Sequence, residues 1–292
     1  MSSSSTRQSS SEGSASVSAQ SLPTDLRQGY AEVGDDIKLH YVEAGDGPLV
    51  VLLHGFPEFW FSWRLQIAPL AKAGFRVVAP DLRGYNLSSR PSGVEAYGAD
   101  KLAADIRALI REIGAEKALL AGHDFGGTVA WATAMAHPEV VDRLVILNAA
   151  HPRRLNDGLR NPNQLRKLWY FFFFQPPGLP ERVVRAGNWR FFRRYQRDAQ
   201  PQYTPEETER YVESWSQPGA ATAIINLYRA AVRQSKQVQA QLRPITAPTL
   251  VIWGQRDRYL GPKLAEPERV TQLLIDFFAP ARLTQDRETP TK

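Results

Sequence analysis

Two hydrophobic periods alternate along residues 25 to 152. The segment from Gly29 to Gly45 alternates polar and apolar residues, as in an antiparallel strand pair that turns at Gly34-Asp35-Asp36. Continuous apolar runs typical of strands covered on both faces occur four times: PLVVLLHG at 48–55, FRVVAP at 75–80, ALLAGHD at 118–124 and DRLVILNAA at 142–150. Helical spacing links them at 60–72, 97–115 and 126–138. This alternation predicts an α/β fold with a mostly parallel, doubly wound sheet.

The pattern changes after Pro152. Residues 153–240 are aromatic-rich and helical in pattern, without clear strands, and APTLVIWG at 247–254 then resumes a core strand. We interpret the helical block as an inserted cap that closes over the carboxyl ends of the strands, where α/β sheets bind ligands. The predicted organisation comprises four parts: a disordered Ser-rich tail at 1–24, the N-terminal part of the core at 25–152, the helical cap at 153–243 and the C-terminal part of the core at 244–292.

Composition limits the classes of protein to consider. The chain has 292 residues, of which 43% are hydrophobic and 23% charged, as in ordinary globular proteins. No apolar run reaches ~18 residues, so we expect no transmembrane helix. The N-terminal segment lacks the apolar region of a signal peptide. The absence of cysteine excludes disulfides and thiolate metal sites, and we expect a cytoplasmic protein.

The net charge of +6 raises the question of nucleic acid. The excess lies in residues 153–240, which hold 15 Lys and Arg against 7 Asp and Glu. An RNA-facing or membrane-facing patch is one interpretation of the arginines interleaved with aromatics in ERVVRAGNWRFFRRYQR. We favour a solvated helix face with arginines over buried rings, because no nucleic-acid motif accompanies them. We therefore expect neither nucleic acid nor membrane as a partner.

The stretch Gly122-His123-Asp124-Phe125-Gly126 carries the clearest chemical signal. It fits a G-x-S-x-G strand-turn-helix elbow, except that an aspartate replaces the serine nucleophile. At a helix N-terminus, backbone N–H groups favour the anion, so we expect Asp124 to stay ionised. A carboxylate there can attack the saturated carbon of an epoxide or a carbon–halogen bond, forming an alkyl ester. Taken alone, the motif is equally compatible with a capping aspartate in a glycine-rich turn.

Two further motifs accompany the elbow. HGFPE at 54–58 and DLRGY at 81–85 follow predicted strands in the same order as GHDFGG at 122–127. Together they resemble the epoxide hydrolases of the α/β-hydrolase fold, over roughly residues 25 to 278. The resemblance implies Asp124 as nucleophile, an oxyanion hole from the backbone N–H groups of Phe56 and Phe125, and no cofactor. It also implies a small apolar epoxide and water as substrates, and a monomer or homodimer.

The predicted cap supports the same subfamily. LWYFFFFQPPG and AIINLYRAA place Tyr170 and Tyr228 in the motifs of two cap tyrosines that donate hydrogen bonds to the epoxide oxygen. The alternative is that both tyrosines line an apolar core. A haloalkane dehalogenase is a neighbouring possibility, but Phe56 stands where its halide-binding asparagine is often found. No residue spacing indicates a metal site, and a non-catalytic binder of apolar ligands remains a second hypothesis.

The second half of the reaction needs a histidine base and an acid that orients it. APTLVIWGQRDRYLGP resembles the acid motif of the family and points to Asp257. The histidine should follow it, yet all five histidines, at 40, 54, 123, 137 and 151, precede it. Residues 258–265 alone separate Asp257 from Glu266. The next segment, PERVTQLLIDFF, resembles the last helix of the family. A parallel crossover takes about 10–12 residues or more.

The crossover, the last strand and the catalytic histidine are therefore predicted to be absent, whether by natural loss or by an error in the gene sequence. Turnover becomes doubtful, and His151 is a possible substitute base near the pocket rim. His54 is expected to brace the oxyanion loop. Losing the last strand should also leave APTLVIWG as an exposed apolar edge, which invites association.

Overall fold

A computed structural model of the chain describes residues 22–154, 166, 168–199, 203–254 and 267–285. These residues form a sheet of seven strands in the order β1-β2-β4-β3-β5-β6-β7. The strands are β1 Arg27–Glu32, β2 Lys38–Ala44, β3 Leu49–Leu53, β4 Arg76–Pro80, β5 Ala118–His123, β6 Val141–Leu147 and β7 Thr249–Ile252. β1 and β2 are antiparallel at one edge, and β4, β3, β5, β6 and β7 run parallel. The predicted fold class is confirmed.

Helices connect the parallel strands, as the hydrophobic pattern predicts. Their bounds are α1 Arg64–Lys72, α2 Ala99–Glu112, α3 Phe125–Ala136, α4 Trp169–Phe173, α5 Leu179–Ala199, α6 Pro205–Trp215, α7 Ala220–Arg233, α8 Ser235–Ala240 and α9 Pro267–Gln285. The helical segment α5 is interrupted by non-helical backbone at residues 186–189. Helices α4 to α8 lie between β6 and β7 in the chain, and we call residues 168–240 the helical insertion.

The sheet separates two hydrophobic cores. Because side chains alternate along a strand, β3 sends Val50 and Leu52 to one face and Val51 and Leu53 to the other, and all are fully buried. Helices α1 and α9 cover the first face. Helices α2 and α3 cover the second face, and the buried residues of the helical insertion belong to the same core. The insertion therefore packs on the side of the sheet that holds α3.

β7 forms an open edge of the sheet. It pairs with β6 alone among the described strands. Leu250 and Ile252 pack partly against the core beneath α9, whereas Val251 and Trp253 are 49% and 47% exposed. The exposed apolar edge that the sequence predicts is therefore present. Helix α9 packs against α1 and β6, as expected for the last helix of this architecture.

Two arginines of the described helices form ion pairs with glutamates. Arg193, in the basic stretch of α5, forms a two-pronged ion pair with Glu209 at 2.7 and 2.8 Å. Arg64 of α1 pairs with Glu207 of α6, which joins the core to the insertion. Among the described residues, no helix combines the length and apolarity that crossing a membrane requires.

Candidate active site

Asp124 occupies the turn between β5 and α3. Its backbone has φ 51° and ψ −118°, a conformation that a residue with a side chain rarely adopts. The glycines of the motif make this turn possible: a Cβ on Gly122 would overlap the backbone of Gly126, and one on Gly126 would overlap the carbonyl oxygens of Leu53 and His54. The strained position is thus held by close backbone packing, as at many functional sites.

Two backbone N–H groups converge on the Asp124 carboxylate. The N–H of Phe56 donates to Oδ1 at 3.0 Å, and the N–H of Phe125 also acts to lower the pKa of this carboxylate. Gly55 allows the close approach of the loop, because a Cβ there would lie 2.7 Å from the Cβ of Asp124. The two residues predicted to form the oxyanion hole therefore meet at the predicted nucleophile.

His54 holds the loop that carries Gly55 and Phe56 in place through both of its ring nitrogens. Its Nε2 accepts the N–H of Leu82 at 3.0 Å, and its Nδ1 lies 2.9 Å from the carbonyl oxygen of Gly55. A ring that accepts at one nitrogen and donates at the other is neutral. Burial lowers the pKa of His54, in agreement with the neutral ring. His54 is thereby tied to the loop and to the end of β4, and it is engaged in structural bonds at both nitrogens.

Burial raises the pKa of the Asp124 carboxyl above its ordinary value. The charge of His123 and the N–H groups of Phe56 and Phe125 act in the opposite direction, and the negative charge of Glu58 adds to the rise. The sequence predicts a helix N-terminus that keeps Asp124 ionised. The backbone donors lower this pKa in the predicted direction, but removal from water outweighs them and the net shift is upward.

Glu58 and His123 form a buried pair beside Asp124 that was not predicted from the sequence. Oε2 of Glu58 lies 3.4 Å from Nδ1 of His123 and accepts the N–H of Gly55 at 3.1 Å. Burial acts to raise the pKa of Glu58, but His123 and the N–H of Gly55 outweigh it, and this pKa is lowered. Glu58 closes the HGFPE motif, which was the available signal.

Tyr85 is a second residue whose position the sequence did not reveal. Its side chain is fully buried, with its ring 4.7 Å from that of His54. Within the described part of the chain its hydroxyl makes no hydrogen bond. Burial, with the charges of Asp124 and Glu58, raises the pKa of Tyr85 well above the usual value. The last residue of the DLRGY motif therefore holds a protonated hydroxyl within range of the Asp124 charge.

The two predicted tyrosines meet above the elbow. The Tyr228 ring centroid lies 5.6 Å from that of Tyr170, 4.7 Å from Phe56 and 6.1 Å from Phe125. Burial raises the pKa of Tyr228 well above its usual value, and the charges of Tyr170 and Asp124 raise it further. The hydroxyl of Tyr228 is therefore a hydrogen-bond donor at neutral pH. The structure thus brings Asp124 together with Phe56, Phe125, Tyr170 and Tyr228.

Arg229 fixes Tyr228 relative to α4. Its guanidinium donates to the carbonyl oxygens of Phe174 at 3.0 Å and Pro176 at 2.7 Å, and it forms a buried ion pair with Glu181 at 2.7 Å. This one side chain ties α7 to the segment that follows α4. The positions of Tyr170 and Tyr228 are consequently coupled.

The structure places the two residues proposed for the hydrolytic step differently. Asp257 lies outside the described residues. His151 packs against Trp131, with ring centroids 5.1 Å apart, and lines a cavity of about 490 Å³ together with Arg153 and Arg243. Burial, followed by the charge of Arg153, lowers the pKa of His151. Asp124 is not one of the described residues that line this cavity. A role for His151 as the substitute base therefore stays a prediction.

Metal chemistry has no support within the described ranges. No group of three or more His, Asp or Glu side chains there is placed to hold a metal ion. Oxygen and nitrogen ligands converging from several residues are what such a site requires.

Comparison with known proteins agrees with this geometry. The family model described as alpha/beta hydrolase fold matches residues 48–273. The chain is 44% identical over 239 residues to the AB hydrolase superfamily protein YfhM of Bacillus subtilis, covering 80% of this chain and 83% of that protein. It is 37% identical over 252 residues to epoxide hydrolase 4 of Mus musculus, covering 82% and 69% of the two chains.

Solved structures give the same relationship. Epoxide hydrolase A from Mycobacterium thermoresistibile superposes with a TM-score of 0.71 at 29% identity, covering 87% of this chain and 98% of that one. A mutant of an epoxide hydrolase from Bacillus megaterium, complexed with its naphthyloxy-propane-diol product, superposes with a TM-score of 0.76 at 29% identity. That match covers 86% of this chain and 100% of the other.

Proposed function

Because the chain belongs to the α/β-hydrolase family and, within it, to the relatives of the epoxide hydrolases, we propose that it opens an epoxide by attack of Asp124. The observation that carries the proposal is the carboxylate at the elbow, held by the N–H groups of Phe56 and Phe125 beneath Tyr228. A carboxylate is the nucleophile suited to saturated carbon.

In the first step a carboxylate oxygen of Asp124 forms a bond to one epoxide carbon. The bond from that carbon to the ring oxygen breaks, and the ring oxygen carries the developing negative charge. Tyr170 and Tyr228 donate hydrogen bonds to this oxygen, and one of them transfers its proton to give the free hydroxyl. The N–H of Phe56 holds Oδ1 and orients the carboxylate for the attack.

In the second step water attacks the ester carbonyl and the acyl–oxygen bond breaks. One water proton passes to the leaving alkoxide oxygen, which completes a vicinal diol, and the other returns to the tyrosinate, while the Asp124 carboxylate is restored. The Phe56 and Phe125 N–H groups stabilise the oxyanion of this step. General-base help is worth about 10²–10⁴-fold, and the sequence holds no histidine after His151. We infer that alkylation proceeds and that the ester persists, with Asp257 as an acid that lacks its partner.

The aromatic rings packed around Tyr228 point to the kind of epoxide. Phe56 is in edge contact with Tyr228, Phe174 and Phe192, at centroid distances of 4.7, 5.6 and 5.6 Å. Aromatic side chains recognise flat apolar groups through offset and edge contacts. An aryl epoxide therefore fits this site better than a polar aliphatic one.

Two alternatives make different demands on the same residues. A haloalkane dehalogenase would need donors suited to a halide, and the Tyr170–Tyr228 pair suits an alkoxide better. A non-catalytic binder of apolar ligands would not need the strained backbone of Asp124, whose φ is 51°. The strain and the converging donors favour chemistry over simple binding.

The test is intact-mass measurement after incubation with an aryl epoxide, followed by peptide mapping. We expect an adduct of one substrate mass on Asp124 and no adduct in Asp124→Asn. Sustained diol release over many turnovers would disprove the stalled ester and would mean that His151 or another group supplies the base. A folded protein that forms neither adduct nor diol would support the binding hypothesis.

A further inference from the structure

The two tyrosines of the site stand on helices of very different length and burial. Tyr228 lies on α7, a 14-residue helix in which residues 223–230 are all buried. Tyr170 lies on α4, a helix of five residues, none of which is buried. A helix this short is not stable by itself, so its position depends on contacts with the rest of the fold. Packing along α7 can therefore place Tyr228, whereas Tyr170 needs support from outside α4.

Aromatic packing supplies only part of that support. The rings of Tyr170 and Phe171 lie 5.6 and 5.0 Å from the ring of Tyr228. Within the same short helix, Trp169 and Phe172 are 49% and 59% exposed. Apolar attraction is non-directional, so it holds α4 against α7 without fixing the direction of the Tyr170 hydroxyl.

Directional support comes from Arg229, the residue that follows Tyr228 on α7. Its Nε donates to the carbonyl oxygen of Phe174 at 3.0 Å, and its Nη2 donates to that of Pro176 at 2.7 Å. Phe174 is the first residue after α4, and its own N–H donates to the carbonyl oxygen of Tyr170 at 3.0 Å. Because hydrogen bonds are directional, these contacts fix the end of α4, and with it Tyr170, relative to α7.

The guanidinium of Arg229 is itself held in one orientation. Its Nη1 donates to Glu181 at 2.7 Å and to Asn226 at 3.0 Å, and its Nη2 donates to the second Glu181 oxygen at 3.2 Å. Together with the two carbonyl contacts, these bonds use all five N–H donors of the group. Arg229 is only 5% exposed, so little water competes for them. The side chain is therefore a rigid anchor.

Gln175 makes a second connection between the same segments. Its Nε2 donates to the carbonyl oxygen of Phe171 at 2.6 Å and to that of Tyr228 at 3.4 Å. Residues 174–176, which follow α4, are thus bonded to two consecutive residues of α7. The short helix is therefore attached to α7 at its C-terminal end, beside Tyr228.

We propose that Arg229 is a positioning residue that holds α4 so that the hydroxyl of Tyr170 reaches the epoxide oxygen. Arg229 contacts neither the substrate nor Asp124 and acts through Tyr170. Tyr228 keeps its place through the buried length of α7. This role rests on the proposed function, because the opening of an epoxide is what requires a hydroxyl at Tyr170.

Arg229→Lys tests this role. Lysine keeps the positive charge beside Glu181, so no buried carboxylate is left unpaired, but it cannot reproduce the planar fork that reaches both carbonyl oxygens. We expect adduct formation with an aryl epoxide to slow about tenfold, a part of the 10²–10⁴-fold that acid assistance supplies. An unchanged rate would overturn the proposal.

A double-mutant cycle separates the positioning of Tyr170 from a general loosening of the fold. In a Tyr170→Phe background no hydroxyl is left to position, so Arg229→Lys should slow adduct formation by less than about twofold. In a Tyr228→Phe background it should keep its full effect. A general loosening would instead slow the reaction by the same factor in both backgrounds and in the wild type, and that result would overturn the proposal.

Arg76→Lys is the matched control. Arg76 also combines a two-pronged ion pair, with Glu43 at 3.1 and 3.2 Å, with a bond to a backbone carbonyl oxygen at 2.9 Å. It is the first residue of β4 and so lies at the opposite end of the parallel strands from Asp124. We expect this variant to keep the wild-type rate, and a slowing equal to that of Arg229→Lys would count against the proposal.

Gln175→Met is a second variant that leaves the buried ion pair of Arg229 untouched. It removes one of the two connections between α4 and α7. We expect adduct formation to slow about threefold, on the scale of one weak hydrogen bond, and the effect to vanish in the Tyr170→Phe background. An effect that persists without the Tyr170 hydroxyl would contradict the positioning of this tyrosine.

Amide hydrogen exchange tests the support of α4 without any reaction at Asp124. The N–H groups of Phe174 and Gln175 close the end of α4 by donating to the carbonyl oxygens of Tyr170 and Phe172. We expect both amides to exchange faster in Arg229→Lys and at the wild-type rate in Arg76→Lys. Equal exchange in Arg229→Lys and wild type would overturn the proposal. A folded wild type that forms no adduct would refute the proposed function, whereas the exchange rates would still show whether Arg229 holds α4.

Discussion

Within one sheet, the strand that leads to the Asp124 elbow is buried, whereas the edge strand β7 is partly exposed. β5 lies between β3 and β6, and every residue of it before His123 is buried. β7 has a described neighbour on one side, and its residues alternate between exposed and half-buried. The elbow is therefore enclosed by strands, helix α3 and the insertion, whereas the edge lies open.

In the proposed mechanism this difference separates two chemical steps, ester formation and ester hydrolysis. The groups proposed to form the ester, namely Asp124, its two backbone donors and the tyrosines, all lie on the enclosed side. The groups expected to hydrolyse it follow β7 in the sequence, before α9. A loss there would leave alkylation intact and remove hydrolysis.

The largest expected effect comes from removing a hydroxyl above the elbow. In Tyr228→Phe the ring contacts with Phe56 and Tyr170 remain, but the donor to the epoxide oxygen is lost. We expect alkylation to slow by about 10²-fold, the lower end of acid assistance. Tyr30→Phe, at a 56% exposed tyrosine on β1, should keep the full rate. A time course of adduct mass measures both, and an unchanged rate in Tyr228→Phe would remove the tyrosine from the mechanism.

Stability should respond very differently at the two places. Gly126→Ala forces a Cβ against the carbonyl oxygens of Leu53 and His54, and we expect a loss of about 3 kcal/mol in the free energy of unfolding. Val251→Ala truncates a half-exposed side chain at the edge and should cost less than about 1 kcal/mol. Urea unfolding compares them. Similar losses would contradict the contrast between a tight elbow and an open edge.

The pH dependence of alkylation follows from the raised pKa of Asp124. Alkylation requires the carboxylate, so its rate should rise with pH through the folded-state pKa and fall about tenfold per pH unit below it. A rate that stays level down to the ordinary aspartate pKa of about 3.9 would contradict the rise that burial produces.

Stability should move in the opposite direction. A carboxyl with a raised folded-state pKa stabilises the fold fully below its unfolded pKa and loses that contribution as pH rises through the folded value. Asp124→Asn cannot ionise, so its stability relative to wild type should increase over that same range. Thermal melts of the two proteins across pH measure this difference, and parallel curves would count against it.

The smallest effect concerns association at the edge. An exposed apolar strand edge favours pairing with another chain, so we expect concentration-dependent elution in size-exclusion chromatography. Val251→Lys should reduce it while changing the free energy of unfolding by no more than about 0.5 kcal/mol. Val232→Lys, at a 42% exposed valine on α7, is the control and should not. A wild-type protein that elutes as a monodisperse monomer at every concentration would contradict the prediction.

Much of the enclosed region was predictable because its signals are local. Continuous apolar runs identified the buried strands, and the glycine spacing around Asp124 identified a turn that only such residues permit. The bonding of Phe56 to Asp124 follows from two motifs that both end strands of one parallel sheet. Features that depend on short motifs can therefore be predicted from the sequence.

Other features depend on packing between distant segments. The Glu58–His123 pair and the Arg229–Glu181 pair join residues far apart in the chain, and no local pattern identifies them. The rise in the pKa of Asp124 likewise depends on packing between distant segments. A helix N-terminus can be predicted from sequence, but the degree of burial that opposes it arises only when the insertion covers the elbow.

In the proposed mechanism Asp124 reacts once and is not regenerated. The most direct measurement is the amount of aryl epoxide consumed per protein chain, followed over time with epoxide in excess. We expect consumption to stop at one equivalent per chain, without diol release, and Asp124→Asn to consume none. Consumption that continues in proportion to time, with diol appearing at the same rate, would contradict it.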